Sequence, residues 1–192
     1  MTARVRRGFA LVAPVLTAGL VHVAVIAFDF VPWLAAPIDG GRQFRGRALL
    51  GRNKTWRGFV VMPLATAVTV SAQQALAAQS PRIAALAPLV RGAPPPWVVG
   101  AACGAAYVLA EIPNSFVKRR LGIAAGARAG RAAGAQYVVD QLDSVLGCVA
   151  AVRWFYRIDA GDALVAGVLG GAFHVGVERA MRVLPRRHRA RR

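Results

Sequence analysis

The sequence predicts an all-α integral membrane protein of five transmembrane helices, with the N-terminus outside and the C-terminus in the cytoplasm. Three observations carry that prediction. Hydrophobic residues make up 56% of the 192 and mean hydropathy is +0.46, yet the formal net charge is +17. Those values conflict in a soluble protein and agree in a membrane protein that keeps its charge in its loops. The apolar residues also fall in runs long enough to cross about 30 Å of hydrocarbon at about 1.5 Å per helical residue. Finally, the 25 Lys and Arg residues divide unequally between the two sides that those runs define.

Phe9–Phe28 is twenty residues without a charge, and the first span is placed at 9–31. Its apolar part exceeds the core of a secretory signal, and the loop after it is more basic than the segment before it. A retained helix is therefore expected rather than a cleaved leader. The second span covers 59–79. The third, 97–117, is broken only by Glu111. The fourth, 137–156, carries Asp140 and Asp143 near its start and Arg153 near its end. The fifth, 163–183, is glycine-rich and reaches its full length with Glu178, Arg179 and Arg182 at the interface. The whole chain, 1–192, reads as a single membrane domain, with cytoplasmic loops at 37–58 and 118–136.

Five spans put the N-terminus and the second and fourth loops on one side. That side holds seven positive residues: Arg4, Arg6, Arg7, Arg82, Arg91, Arg153 and Arg157. The remaining eighteen of the 25 lie opposite, and positive residues are retained in the cytoplasm. A multi-pass protein of the cell membrane follows. The C-terminal run "PRRHRARR" suits anionic lipid on that face, and with no recognition module beside it no nucleic-acid partner is expected. Gly167 and Gly171 form a G-x-x-x-G pair, expected to bring the last helix close to a neighbour in the bundle, with a homodimer as the alternative. Cys103 and Cys148 fall inside spans and read as packing thiols. His22 and His174 are expected to make helix-packing hydrogen bonds at opposite levels, away from any site.

An acid at the centre of a span costs roughly 2.5–3.5 kcal/mol or more, so Glu111, Asp140 and Asp143 need a reason. Glu111, Asn114, Ser115 and Lys118 fall at i, i+3, i+4 and i+7, one face of a helix. Asp140, Asp143 and Ser144 repeat the spacing on the fourth span. The chain's other lysine is Lys54, in "GRNKTWRG" just before the second span. The topology brings these three helix ends to the cytoplasmic face. Carboxylates a turn apart suit magnesium, which completes its octahedron with water and substrate phosphate; Asp140, Asp143 and Glu111 are the expected ligands. Lysines and arginines around such a site suit a nucleoside triphosphate, whose charge must be neutralised before a nucleophile approaches. Two other matches fail: the Asn53-Lys54-Thr55 glycosylation sequon lies on the cytoplasmic side, and "GRALLGRNKT" lacks the lysine position and the strand of a phosphate-binding loop.

"FRGRALLGRNKTWRGF", "NSFVKRRLGI" and "DQLDSVLG" together resemble the three signatures of the CDP-archaeol synthase family. These are small integral-membrane cytidylyltransferases related to bacterial phosphatidate cytidylyltransferase. The resemblance implies a transferase of phospholipid biosynthesis that joins CTP to a phosphorylated, lipid-chained glycerol, giving a CDP-activated lipid and pyrophosphate with magnesium. It implies metal binding by Asp140 and Asp143, phosphate binding by Ser115, Lys118 and Arg119, and a CTP loop of Asn53, Lys54, Thr55 and Arg57. Asp39 of "PIDGG" matches a loop acid, and Asn114 and Ser144 complete the expected substrate-binding set. Lys54, Lys118, Asp140 and Asp143 are the expected catalytic residues. Glu111 stands where the archaeal pattern has an aspartate. Two rivals make different predictions. A CDP-alcohol phosphotransferase needs a D-G-x-x-A-R run that "DGGRQFRG" lacks, and a non-catalytic scaffold or transporter subunit would tolerate Asp140→Asn.

Overall fold

The computed structural model describes residues 2–127 and 133–183, leaving aside the side chains of residues 178 and 180–183. Arg128, the side chains of Glu178 and Arg182, and the basic run at 185–192 therefore lie outside the described residues. In chain order the elements are α1 (Ala3–Ala27), a 3-10 turn (Pro32–Ala35), β1 (Gln43–Phe44), β2 (Arg47–Ala48) and α2 (Trp56–Gln79). The single turn α3 (Pro81–Ala84), α4 (Pro96–Arg120), α5 (Ala133–Phe155) and α6 (Ala160–Val183) follow.

The helices match the expected spans to within a few residues at most ends, and the differences have local causes. Helix α1 stops at Ala27 rather than running to 31, because Asp29 and Val31 take positive φ values of 52° and 46°. Such angles cannot continue a right-handed helix. Helix α4 starts on Pro96, whose missing N–H is harmless in a first turn. Among the described residues, α1, α2, α4 and the 160–177 part of α6 are long and apolar enough to cross a membrane. Helix α5 is not in that set: Gln136, Asp140, Gln141 and Asp143 occupy its first half. The expectation of five spans is thus met for four.

Close backbone approach sets the bundle's geometry. A Cβ on Gly100 would lie 2.4 Å from the Thr66 carbonyl oxygen, and one on Gly104 would lie 2.6 Å from that of Met62. Helices α2 and α4 therefore run antiparallel with their backbones in contact. Gly147 does the same for α5, 2.5 Å from the Ala106 oxygen. The glycine pair singled out from sequence, Gly167 and Gly171, sits more loosely. Its nearest neighbours are Val149 at 3.8 Å and Leu142 at 3.9 Å, since these α5 side chains fill the space between the backbones. Close packing belongs instead to the Gly100–Gly104 pair, which the sequence reading passed over.

Proline inside a membrane helix frees a carbonyl that a neighbour must satisfy. Pro14 leaves the Ala10 carbonyl without its helical donor, and Gln73 of α2 donates its side-chain amide there at 2.6 Å. Thr69 Oγ1 of α2 lies 3.1 Å from the Pro14 carbonyl oxygen, but also 2.9 Å from that of Ala65 in its own helix, and donates to one of them at a time. Leu11, Val12, Val15, Val70, Val99 and Val152 fill the core, with Cys103 and Cys148 free and buried among them as expected. At the end of the bundle where α1 and α6 begin, Arg7 pairs with the buried Asp162 at 2.9 Å and Arg4 with Asp159 at 3.1 Å. The Asp162 backbone N–H, together with Arg4, holds the Asp159 carboxyl below the usual carboxylate range.

Candidate active site

The site lies toward the opposite end, where α1, α4 and α6 finish and α2 and α5 begin. The loop between α1 and α2 covers it. Asp39 shapes that loop: its carboxylate accepts from the backbone N–H groups of Gly41 and Leu50 at 2.9 Å each and of Gly51 at 3.3 Å. Burial works against the charge, but these three donors outweigh it and hold the Asp39 carboxyl below its ordinary value. Gly51, at φ 105°, occupies a conformation that favours glycine. The β1–β2 hairpin turns through Arg45 and Gly46, both at positive φ, as a tight two-residue hairpin requires. Arg120, at the end of α4, pins it down. Its guanidinium donates to the carbonyls of Phe44, Arg47 and Ala48 and stacks 5.2 Å from Phe44 and 5.1 Å from Phe116.

Lys54, Glu111, Ser115, Lys118, Asp140, Asp143 and His174 line one polar cavity of about 250 Å³. Both lysines and all three acids singled out from sequence therefore meet. They form a continuous chain of contacts. Lys54 Nζ is paired with Glu111 Oε2, whose other oxygen lies 2.7 Å from Ser144 Oγ. Ser144 Oγ is also 3.0 Å from Asp143 Oδ1 and donates to one acid at a time. Asn114 Nδ2 donates to Asp143 Oδ2 at 2.6 Å and to Asp140 Oδ1 at 2.7 Å. Lys118 Nζ closes the chain on Asp140 Oδ1 at 2.6 Å.

The two aspartates converge on one point, held by the Asn114 amide nitrogen. Carboxylates are the oxygen ligands magnesium takes, one or two from the protein with the rest from water and phosphate, but a cation between these two oxygens would have to displace the Asn114 amide. Among the described residues no three His, Cys, Asp or Glu side chains group tightly enough to hold one ion. The expected third ligand, Glu111, is turned instead to Lys54 and Ser144.

Beside this network, Arg47, Gly51, Arg52, Arg119, Gly122 and neighbouring loop residues line a larger cavity of about 680 Å³. Arg119 is only 5% exposed, and its Nε and one Nη are buried without a hydrogen-bond partner among the described residues. Buried guanidinium nitrogens of this kind normally meet an acceptor. An anion with several oxygens would supply one.

Three expected residues sit elsewhere. Arg57 is buried on Asp29, at 2.5 Å, and on the Val31 carbonyl, so it ties α2 to the end of α1 rather than facing the cavity. Asn53 is exposed on the loop, and Thr55 occupies the N-cap of α2 without a side-chain capping bond. His22 and His174 contradict the expectation made for them. They line a common chamber together, and His174 also lines the polar cavity. Counting along the expected spans would have found this: His22 and His174 each stand nine residues before the ends of 9–31 and 163–183.

The family model for CDP-archaeol synthase, CarS-like, matches residues 27–181. The curated CDP-archaeol synthase of Halobacterium salinarum is 42% identical over 160 residues, covering 79% of this chain and 82% of that protein. The CDP-archaeol synthase of Halorubrum lacusprofundi is 40% identical over 119 residues, 60% of this chain and 58% of its own. That of Hyperthermus butylicus is 33% identical over 117 residues, again 60% of this chain, and 57% of its own. No solved structure matches the chain significantly.

Proposed function

The chain belongs to the CDP-archaeol synthase family and is a CTP-dependent nucleotidyltransferase; from that premise we propose that it transfers CMP from CTP to a phosphorylated glycerol lipid, releasing pyrophosphate. The product is a CDP-activated lipid for phospholipid biosynthesis. One observation carries the reading: two lysines and three carboxylates from the loop before α2, from α4 and from α5 gather in a single cavity beside an arginine with unpartnered buried nitrogens.

The triphosphate lies between Arg119 and the lysines. Arg119 presents its guanidinium to the phosphate oxygens from the loop cavity, and Gly51 and Gly122 leave the backbone bare there. Lys118 and Lys54 sit on flexible stems, already aimed by Asp140 and Glu111. They exchange part of those contacts for phosphate oxygens as negative charge builds on the leaving pyrophosphate. Asp140 and Asp143 would hold a magnesium ion, which when bound neutralises the phosphates and makes the α-phosphorus more electrophilic. A lipid phosphate oxygen attacks that phosphorus in line and the bond to pyrophosphate breaks. No general base is needed, because the attacking phosphate is ionised at neutral pH. Asp39 acts indirectly, by setting the loop that carries Lys54. Asn53 and Thr55 line neither cavity, so the loop's share of the nucleotide site falls to Gly51, Arg52 and Lys54.

We place the protein in the cell membrane as one domain of five spans, with α5 crossing as the fourth and α6 as the fifth, the N-terminus outside and the site facing the cytoplasm. Support comes from the charge asymmetry of the sequence and from α5 lying antiparallel to α4 between Asp140, beside Asn114, and Gly147, against Ala106. The lipid approaches sideways from the inner leaflet. The test is an assay of the purified protein with α-labelled CTP, magnesium and a panel of ether- and ester-linked lipid phosphates. Label in lipid with one pyrophosphate released per transfer supports the proposal. A CDP-alcohol phosphotransferase would leave CTP and lipid phosphate unused, and would release CMP only when given a preformed CDP-lipid and an alcohol acceptor.

A further inference from the structure

Beneath the polar cavity, toward the middle of the bundle, lies a second chamber of about 190 Å³ walled by α1, α2, α4, α5 and α6. Its lining is apolar, including Val15, Met62, Val145 and Phe173, apart from His22, Tyr107, Glu111 and His174. Glu111 and His174 also belong to the polar cavity, so the two spaces share a wall. The Nδ1 atoms of His22 and His174 are both buried and lack a hydrogen-bond partner among the described residues. The ring of Tyr107 stands edge-on to His174, 6.4 Å between centroids at 78°.

The cations nearer the centre are already committed. Lys54 is paired with Glu111 and Lys118 with Asp140. Residues with unpartnered buried nitrogens thus stand on two sides of the lysine–acid network: Arg119, which lines the loop cavity, and His22 and His174, which line the chamber. Buried polar atoms without partners call for a ligand or water. The reaction must bring two phosphates together across such a network. The chamber is worth roughly six waters of space, enough for a small headgroup and too little for lipid chains.

We propose that His22 and His174 bind the phosphomonoester of the acceptor lipid, holding it on the chamber side of the lysine–acid network while the nucleotide occupies the loop side. This rests on the cytidylyltransferase reading and names residues for its second substrate. Each imidazole donates an N–H to a phosphate oxygen. Glu111 does not repel the phosphate as a bare charge, because the Lys54 ammonium is paired with it. The lipid chains stay in the bilayer.

Steady-state kinetics of His174→Leu and His22→Leu in the full chain test this. The KM for lipid phosphate should rise about tenfold or more, the KM for CTP should stay within about twofold, and His174→Asn, whose amide nitrogen can reach the Nδ1 position, should recover most of the loss. An unchanged lipid KM in both leucine variants, or equal rises in both KM values, overturns the assignment. A binding arm without CTP separates this failure from failure of the enzymatic reading. Wild-type protein should be stabilised against heat more by a dialkylglycerol phosphate than by the matching dialkylglycerol, and inorganic phosphate alone should do less. If His174→Asn and His22→Asn keep that preference while His174→Leu and His22→Leu lose it, the proposal stands even where no transfer is seen. If the leucine variants keep it, or the wild type lacks it, the proposal falls.

Discussion

Asn114→Leu isolates the junction of the network, since it removes the amide that both aspartates share and leaves the shape nearly unchanged. The two legs of 2.7 and 2.6 Å mean that the facing oxygens of Asp140 and Asp143 are no more than about 5.3 Å apart. At an effective dielectric near 20, two unit charges at that separation repel by about 3 kcal/mol in wild type and variant alike. What the variant loses is the two hydrogen bonds that offset this repulsion, each worth about 1.5–3 kcal/mol. Lys118, still 2.6 Å from Asp140, offsets part of this. A net loss of about 2–4 kcal/mol is expected, which for a chain this size lowers the unfolding midpoint by roughly 5–15 °C. Thermal unfolding in detergent at neutral pH reads it directly. Added magnesium should narrow the gap to wild type, because a cation between the carboxylates does what the amide did. A variant that melts within about a degree of wild type, or a gap that magnesium leaves untouched, refutes the reasoning.

Other outcomes follow from the same geometry. Lys54→Arg keeps the charge but replaces a compact ammonium with a wide planar fork in a partly buried pocket. Turnover should fall about tenfold or more, and wild-type kcat with wild-type CTP affinity would remove the size argument. Gly100→Ala puts a methyl 2.4 Å from the Thr66 carbonyl and should destabilise the α2–α4 contact by about 1–3 kcal/mol. Gly171→Ala, with its nearest neighbour at 3.9 Å, should change the midpoint little, and the contrast between the two is the readout. Asp39 ionises below its ordinary value in the folded protein, so its stabilisation is complete above about pH 4 and is lost as pH falls through that lowered value. Asp39→Asn should therefore be less stable by about 2 kcal/mol at neutral pH and show a flatter stability profile on the acid side.

The polar residues of the spans were legible because a charge in hydrocarbon is expensive and helical spacing says which charges share a face. Glu111, Asn114 and Lys118 on α4 and Asp140, Asp143 and Ser144 on α5 meet as their spacing implies. What each side chain grips was not legible. Asn114 serves the aspartates, and Arg57 serves Asp29, a residue that the α1 terminus delivers through two positive-φ positions no spacing rule announces. The glycines misled for a similar reason. Gly100-x-x-x-Gly104 and Gly167-x-x-x-Gly171 are identical patterns, and only the partner helix decides which one draws backbones together. The histidines were misplaced by an error of level, which residue counts from the ends of the expected spans would have corrected.

The central claim is that the network joining Lys54, Glu111, Asp143, Asn114, Asp140 and Lys118 is where CMP changes hands. Single-turnover transfer of label from α-labelled CTP to a lipid phosphate, in wild type and in Lys118→Met, tests it most directly. The account predicts a drop of about a hundredfold or more in the transfer rate at saturating CTP and lipid, with the midpoint of unfolding shifted far less than in Asn114→Leu. Transfer at the wild-type rate in Lys118→Met would contradict it.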